Sequence, residues 1–271
     1  MGLGKQVRLN RLFSHPSGRF SSVAVDHFIG YQDGLPAGLR DMPAALAAIV
    51  AGGPDAVTMH KGVATSCWGP YAGKVPLIVQ SIAARPDDSG DACFCTPEDA
   101  LRMGAAGFAC AGFLRGPTED AHLERISDFV RQARICEIPV IAHVYPRRFL
   151  PGGKVEISYQ PEDIAWAVRC AIEAGVDVVK VPFCGDVASY RQIVRSCPVP
   201  VVAAGGPKAQ TLQDALILAR DVVASGARGL TIGRNIWGFE RPRQALEAFQ
   251  AVIHDGVSPA AALKQVGRSK N

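Results

Sequence analysis

The sequence predicts a single (β/α)8 barrel, an α/β fold of the TIM type, and three observations carry that prediction. Eight short β-branched runs, bounded by Gly, Pro or polar residues, recur at roughly 30-residue intervals. The runs are almost continuously apolar, as strands buried on both faces are, instead of alternating. Helical segments separate them, and no GxGxxG follows the first run, which favours a closed barrel over an open doubly wound sheet.

The first run is Ser22-Val-Ala-Val-Asp26, preceded by an N-terminal extension of residues 1 to about 20 that is expected to lie over the barrel floor. Asp55-Ala-Val-Thr-Met59, Pro76-Leu-Ile-Val-Gln80 and Gly107-Phe-Ala-Cys-Ala111 follow. Pro139-Val-Ile-Ala-His-Val144, Asp177-Val-Val-Lys-Val181, Pro200-Val-Val-Ala-Ala204 and Gly229-Leu-Thr-Ile232 complete the set. Between them, Pro161 to Glu173 and Leu212 to Ala224 read as helices closed by Gly175 and Gly226. Thr96-Pro-Glu-Asp and Gln160-Pro-Glu-Asp each put Pro at a first helical position and carboxylates in the first turn, where the helix dipole favours them. No Pro- or Ser-rich linker divides the chain, so residues 1–271 are read as one domain.

Composition narrows the functional classes. The chain has 271 residues, 48% hydrophobic and 20% charged, enough for a sizeable core and incompatible with disorder or coiled coil. A net charge of +4, scattered along the chain, argues against a nucleic-acid or membrane partner and for a small molecule. The absence of a membrane-length apolar run and of a signal-peptide core leads to the expectation of a cytoplasmic protein. Eight cysteines fit buried thiols in a reducing compartment; Cys93-Phe-Cys95 has the wrong spacing for zinc, and no metal or other cofactor is expected.

In a barrel, chemistry belongs where strands end. Lys180 stands in strand six among apolar neighbours, where a charged amine must pair or give up its proton. Period-two alternation puts Val178 and Lys180 on the lumen face. A neutral buried amine attacks carbonyls to form a Schiff base; the competing reading is a structural ion pair with Asp26 or Asp177, and spacing alone leaves the two open. Asp26 ends strand one, either tuning the lysine and binding hydroxyls or capping a loop. Tyr145, at the end of strand five, is a possible general acid or base, with nearby cations expected to lower its pKa, or a core-edge tyrosine. Gly205-Gly206 after strand seven and Gly233-Arg234 after strand eight form the most specific pair. Exposed backbone N–H groups and a guanidinium there suit a phosphate. His27 and His143 are grouped with the substrate-binding residues; Lys61 and Lys208 are read equally as anion contacts or solvated charges, His60 is given no role, and Cys184 is read as packing near the site.

These motifs resemble the archaeal-type class I fructose-bisphosphate aldolase family within the DeoC/FbaB/LacD group of Schiff-base aldolases, which also holds an aminodideoxyheptulosonate synthase and LsrF-type enzymes. The likeness runs from Gly18-Arg19 and Asp26-His27 through Tyr145-Pro146-Arg147, Val179-Lys180-Val181 and Gly205-Gly206-Pro207 to Gly233-Arg234-Asn235-Ile236. It implies Lys180 as the Schiff-base lysine, Tyr145 as proton donor or acceptor, and Asp26 contacting lysine and substrate. It further implies phosphate on the glycine loops, no metal, and a homo-oligomer, typically a decamer. The departures are Phe28 and Arg148 where the family has glycine, and Gln80-Ser81 where many members have a lysine. His143 replaces an apolar or aromatic residue, and Trp237-Gly238 replaces Phe-Gln. They leave the lysine chemistry intact, reshape the rim, and count against fructose bisphosphate itself.

The expected activity is therefore metal-independent aldol cleavage or formation of a phosphorylated ketose or related ketone phosphate, with a dihydroxyacetone phosphate-like donor. A thiolase or ketol/acyl transferase using the same lysine is the nearest alternative, and a non-catalytic phosphate-binding barrel is the alternative from another class.

Overall fold

The computed structural model describes residues 2–28 and 34–268. In chain order its strands are β1 (Phe20–Ala24), β2 (Ala56–His60), β3 (Leu77–Gln80), β4 (Ile82–Ala84), β5 (Asp91–Cys93), β6 (Gly107–Leu114), β7 (Val140–Phe149), β8 (Val155–Ile157), β9 (Val178–Pro182), β10 (Val201–Ala204) and β11 (Gly229–Ile232). Eight of them form a parallel ring running β1, β2, β3, β6, β7, β9, β10, β11 and back to β1. The barrel closes because each apolar run has two faces to bury, one in the lumen and one beneath helices. Phe20, Ile78, Ile141, Val178 and Val202 fill the lower lumen. The residues between them, including Val23, Val57, Val79, Val179 and Val201, belong to the outer core. Higher in the lumen the lining turns polar, beginning with Ser22 Oγ, which donates to Thr231 Oγ1 at 2.8 Å.

The helices are α1 (Leu3–Leu12), α2 (Met42–Ala51), α3 (Lys61–Cys67), α4 (Pro97–Arg102), α5 (Glu119–Ile135), α6 (Pro161–Glu173), α7 (Val187–Ser196), α8 (Leu212–Ala224), α9 (Arg234–Trp237), α10 (Pro242–Ile253) and α11 (Pro259–Arg268). Of the two Pro-Glu-Asp starts, α4 opens on a full capping box between Thr96 and Asp99, whereas Gln160 offers α6 no side-chain cap. Among the described residues no helix is long and apolar enough to cross a membrane.

Two features depart from the simple eight-unit reading. After β3, the strands β4 and β5 pair as an antiparallel hairpin, Ile82 opposite Cys93, beside the mouth of the barrel. The β7 strand continues through Pro146 to Phe149 and pairs with β8, Arg147 opposite Ile157. The sequence reading ends this strand at Val144, but the Pro146 carbonyl still accepts from Ser158 N–H at 2.7 Å, so the missing N–H is tolerated at this edge.

Helix α1 lies under the ring. Leu12 is buried with Ile78, Ile141 and Val178, Lys5 Nζ pairs with Asp177 at 3.0 Å, and Glu137 Oε2 accepts from Gly4 N–H at 2.7 Å. Replacing Leu12 with Ala removes the side chain that seals the lower lumen and is expected to cost about 3 kcal/mol. Urea denaturation checks this: the midpoint falls while the dependence on denaturant is unchanged.

Candidate active site

The strand ends converge on a cavity of about 390 Å³ lined by Asp26, Gln80, His143, Tyr145, Lys180 and Arg234, among others. His27, Gly205, Gly206 and Gly233 also line it, so every residue singled out as catalytic or binding reaches one site. Three less definite residues do not. Lys61 lies 3.9 Å from Asp99, the Lys208 ammonium sits over the Phe239 ring, and Cys184 Sγ donates to Asp186 O. His60, given no role, packs edge-on against Phe28 and Phe94.

Lys180 reaches the lumen because β9 alternates: Val178 lies below it in the apolar floor, while Val179 and Val181 face the helices. The residue is only 5% exposed. Burial lowers the pKa of its amine from the ordinary 10.5, and the charge of Asp26 opposes that shift. The alternative pairing with Asp177 is overturned, since that carboxylate is held by Lys5 and by Val140 N–H at the floor. Asp26 lies two residues beyond β1, with His27 Nδ1 at 3.3 Å from its Oδ1. Burial alone would raise its pKa; the His27 contact and the charge of Lys180 override it and hold the carboxyl well below the ordinary value.

Gln80, which sequence reasoning noted only as a departure, joins these groups. Its Oε1 accepts from Ile82 N–H at 3.2 Å, so its Nε2 is the end that donates to Asp26 Oδ2 at 3.2 Å and to His143 Nδ1 at 3.0 Å. A His143 that accepts at Nδ1 carries its proton on Nε2. Burial and the neighbouring Lys180 push its pKa well below 6.5, so the ring is neutral. The available signal was parity: Gln80 follows Ile78 on the lumen face.

Tyr145 corrects an expectation. Nearby cations were expected to lower its pKa, but burial raises it above the ordinary 10.0, Asp26 adds to the rise, and only Arg234 opposes. The phenol is therefore protonated and faces the cavity as a hydrogen-bond donor.

The glycine loops approach each other through Asn235, which was quoted in the strand-eight motif but given no function. Its Nδ2 donates to Gly205 O and Pro207 O at 2.8 and 2.9 Å, and its Oδ1 accepts from Ala209 N–H at 2.8 Å. Gly206 has φ +71°, a conformation that other residues resist. At Gly233 a Cβ would lie 2.7 Å from the His27 ring, so glycine lets that ring reach Asp26. Trp237 completes the seat: its Nε1 donates to Ala24 O at 2.9 Å and its ring meets His27 edge-on.

Arg147 lies in the Tyr-Pro-Arg motif but does not line the cavity. It is 1% exposed and donates to Arg115 O, Pro86 O, Asp88 and Thr118, tying the β4–β5 hairpin to β7. Among the described residues, no three His, Cys, Asp or Glu side chains converge as a metal site.

A lysine made less basic by burial, beside an ionised carboxylate at the C-terminal rim of a parallel barrel, defines the class of Schiff-base aldolases. A family model for "DeoC/LacD family aldolase" matches residues 20–238, and the chain belongs to that family. It is similar to 2-amino-3,7-dideoxy-D-threo-hept-6-ulosonate synthase of Halobacterium salinarum, 32% identical over 97% of each chain. It is also similar to class 1 fructose-bisphosphate aldolase of Thermoproteus tenax, 30% identical over 75% of this chain and 76% of that one. A solved archaeal fructose-1,6-bisphosphate aldolase, with its catalytic Lys bound to the carbinolamine intermediate, superposes with a TM-score of 0.80. It is 28% identical, covering 92% of this chain and 99% of that one.

Asn235→Ala leaves two carbonyls and one N–H of the glycine loop without their partner. The expected loss is about 2 kcal/mol of stability, measured by urea denaturation.

Proposed function

We propose that this protein is a class I, metal-independent aldolase that forms or cleaves a phosphorylated ketose or related ketone phosphate, with a dihydroxyacetone phosphate-like donor. The observation that carries this reading is the Lys180 amine: buried in the lumen, lowered in pKa, and within the field of the Asp26 carboxylate.

In the cleavage direction the neutral amine adds to the keto carbon; its lone pair becomes the new C–N bond, the C=O π electrons pass to oxygen, and one of the two amine protons moves to that oxygen. The Tyr145 phenol, kept protonated by burial, donates to that oxygen as it leaves as water, giving the iminium. The adjacent C–C bond then breaks. Its electrons pass to the iminium nitrogen, and the hydroxyl proton of the departing aldehyde moves toward Asp26 or a water that Asp26 holds. The Tyr145 phenolate recovers the proton released from that hydroxyl and passes it to the enamine carbon, and hydrolysis of the resulting iminium frees the ketone phosphate and the neutral amine. Gly205, Gly206, Gly233 and Arg234 anchor the phosphate, so binding energy remote from the reacting carbon holds the carbonyl beside the amine. His27 and His143 contact substrate oxygens.

A second reading keeps the lysine but transfers a ketol or acyl fragment to an acceptor. The match to the Halobacterium synthase along 97% of each chain is the observation that supports it.

Borohydride reduction in the presence of dihydroxyacetone phosphate is expected to leave an adduct on Lys180, read by mass spectrometry; its absence overturns every Schiff-base reading. Lys180→Met abolishes both adduct and turnover. Tyr145→Phe slows turnover by about a hundredfold or more while still permitting the adduct.

The pH dependence carries its own sign. Adduct formation needs the neutral amine, so its acid limb lies below the ordinary lysine value of 10.5. The Asp26 carboxylate favours the ammonium, so Asp26→Asn is expected to move that limb to lower pH. Adduct yield against pH for the two proteins checks this, and a shift upward refutes the assigned interaction.

A further inference from the structure

The ring order places the wall opposite the phosphate loops on known strands. With eight strands in the sequence β1, β2, β3, β6, β7, β9, β10, β11, the loops after β10 and β11 face β3 and β6 across the lumen. That opposite wall, with the hairpin continuing it, is lined by Ile82, Ala83, Ala84, Pro86, Ala111 and Phe113, none of which carries charge. Among the described residues, the Lys and Arg side chains that line the cavity are Lys180 and Arg234, and those of the neighbouring segments make other contacts. Arg147 spends its donors on Arg115 O, Pro86 O, Asp88 and Thr118. Arg115 is paired with Asp163 at 3.1 Å and stacked over Trp166, and Arg85 donates to Ser89 Oγ. The polar groups at the foot of this wall are neutral: the Gln80 amide and the His143 ring with its proton on Nε2.

Resting on the aldolase reading above, we infer that the substrate carries one phosphate and that its aldehyde-derived half is uncharged. The phosphate of the ketone fragment lies on the β10 and β11 loops with Arg234. Lys180, on β9, takes the keto carbon. The aldehyde fragment extends toward β3 and β6, its carbonyl oxygen facing the His143 Nε2–H, since Gln80 has both of its N–H groups on Asp26 and His143, and its remaining carbons against Ile82, Ala84 and Phe113. A second phosphate, or a carboxylate, at that end would lose its water without gaining a cation, which is the costly case of charge burial. The partner is therefore a short alkyl or hydroxy aldehyde, and the ketose product is a monophosphate. Carbon–carbon bond formation balances without a co-reactant: the donor carbon adds to the aldehyde, and the aldehyde oxygen takes the proton.

The test is acceptor choice by the full-length protein with dihydroxyacetone phosphate as donor. The values of kcat/KM are measured for D-glyceraldehyde and for glyceraldehyde 3-phosphate, alongside the borohydride adduct on Lys180. The expected result is a preference of about tenfold or more for the unphosphorylated aldehyde. A preference for glyceraldehyde 3-phosphate, equal use of the two, or use of neither by an enzyme that does form the adduct overturns the inference. Absence of the adduct overturns the aldolase reading itself, so the two failures are distinguishable.

Discussion

The burial of one amine sets the terms for the rest of the site. A lysine ammonium taken out of water costs several kcal/mol unless something repays it. The barrel meets that cost by weakening the hold of Lys180 on its proton and by keeping one ionised carboxylate, Asp26, in its field. The groups around them then have to be neutral. His143 is held uncharged by burial and by Lys180, and Tyr145 keeps its proton because burial and Asp26 both disfavour a phenolate. Only one arrangement of the Gln80 amide serves both neighbours, and the Ile82 N–H selects it.

The glycine-loop side is organised on different principles. It relies on backbone geometry, with side chains holding the backbone in position. Asn235 bonds three backbone groups of the β10 loop from the first turn of α9, so the two glycine loops are one unit. An anion meeting such a unit finds its donors already directed, and little ordering remains to oppose binding. On the opposite side Arg147 does comparable work for the β4–β5 hairpin.

Much of this was legible in the sequence, for specific reasons. The eight runs stood out because parallel strands are apolar on both faces, and Lys180 stood out because it interrupts one of them. The same period of two that placed Lys180 in the lumen also reaches Gln80 and His143, though it is silent on which amide end or ring nitrogen donates. The β4–β5 hairpin escaped notice because its strands, Ile82–Ala84 and Asp91–Cys93, are too short for any period to show. The β7 extension lay beyond the apolar run that marked the strand, which stops at Val144 before Tyr-Pro-Arg-Arg. Tyr145 was assigned the wrong direction because sequence shows which charges are near in the chain, such as Arg147 and Arg148, and not how deeply the ring is buried. In the fold Arg147 is turned into the hairpin and Arg148 is exposed.

The plug beneath the barrel has a kinetic meaning as well. With Leu12 and the floor residues closing the lower lumen, the cavity is shut from below. In the proposed cleavage the ketone fragment stays bonded to Lys180 until water enters, so the aldehyde leaves first, and the closed floor sends it out through the mouth. Hydrolytic water must then come in by that same route. A floor sealed in this way leaves the covalently held donor below and the acceptor above, so in the proposed synthetic direction the donor loads before the acceptor.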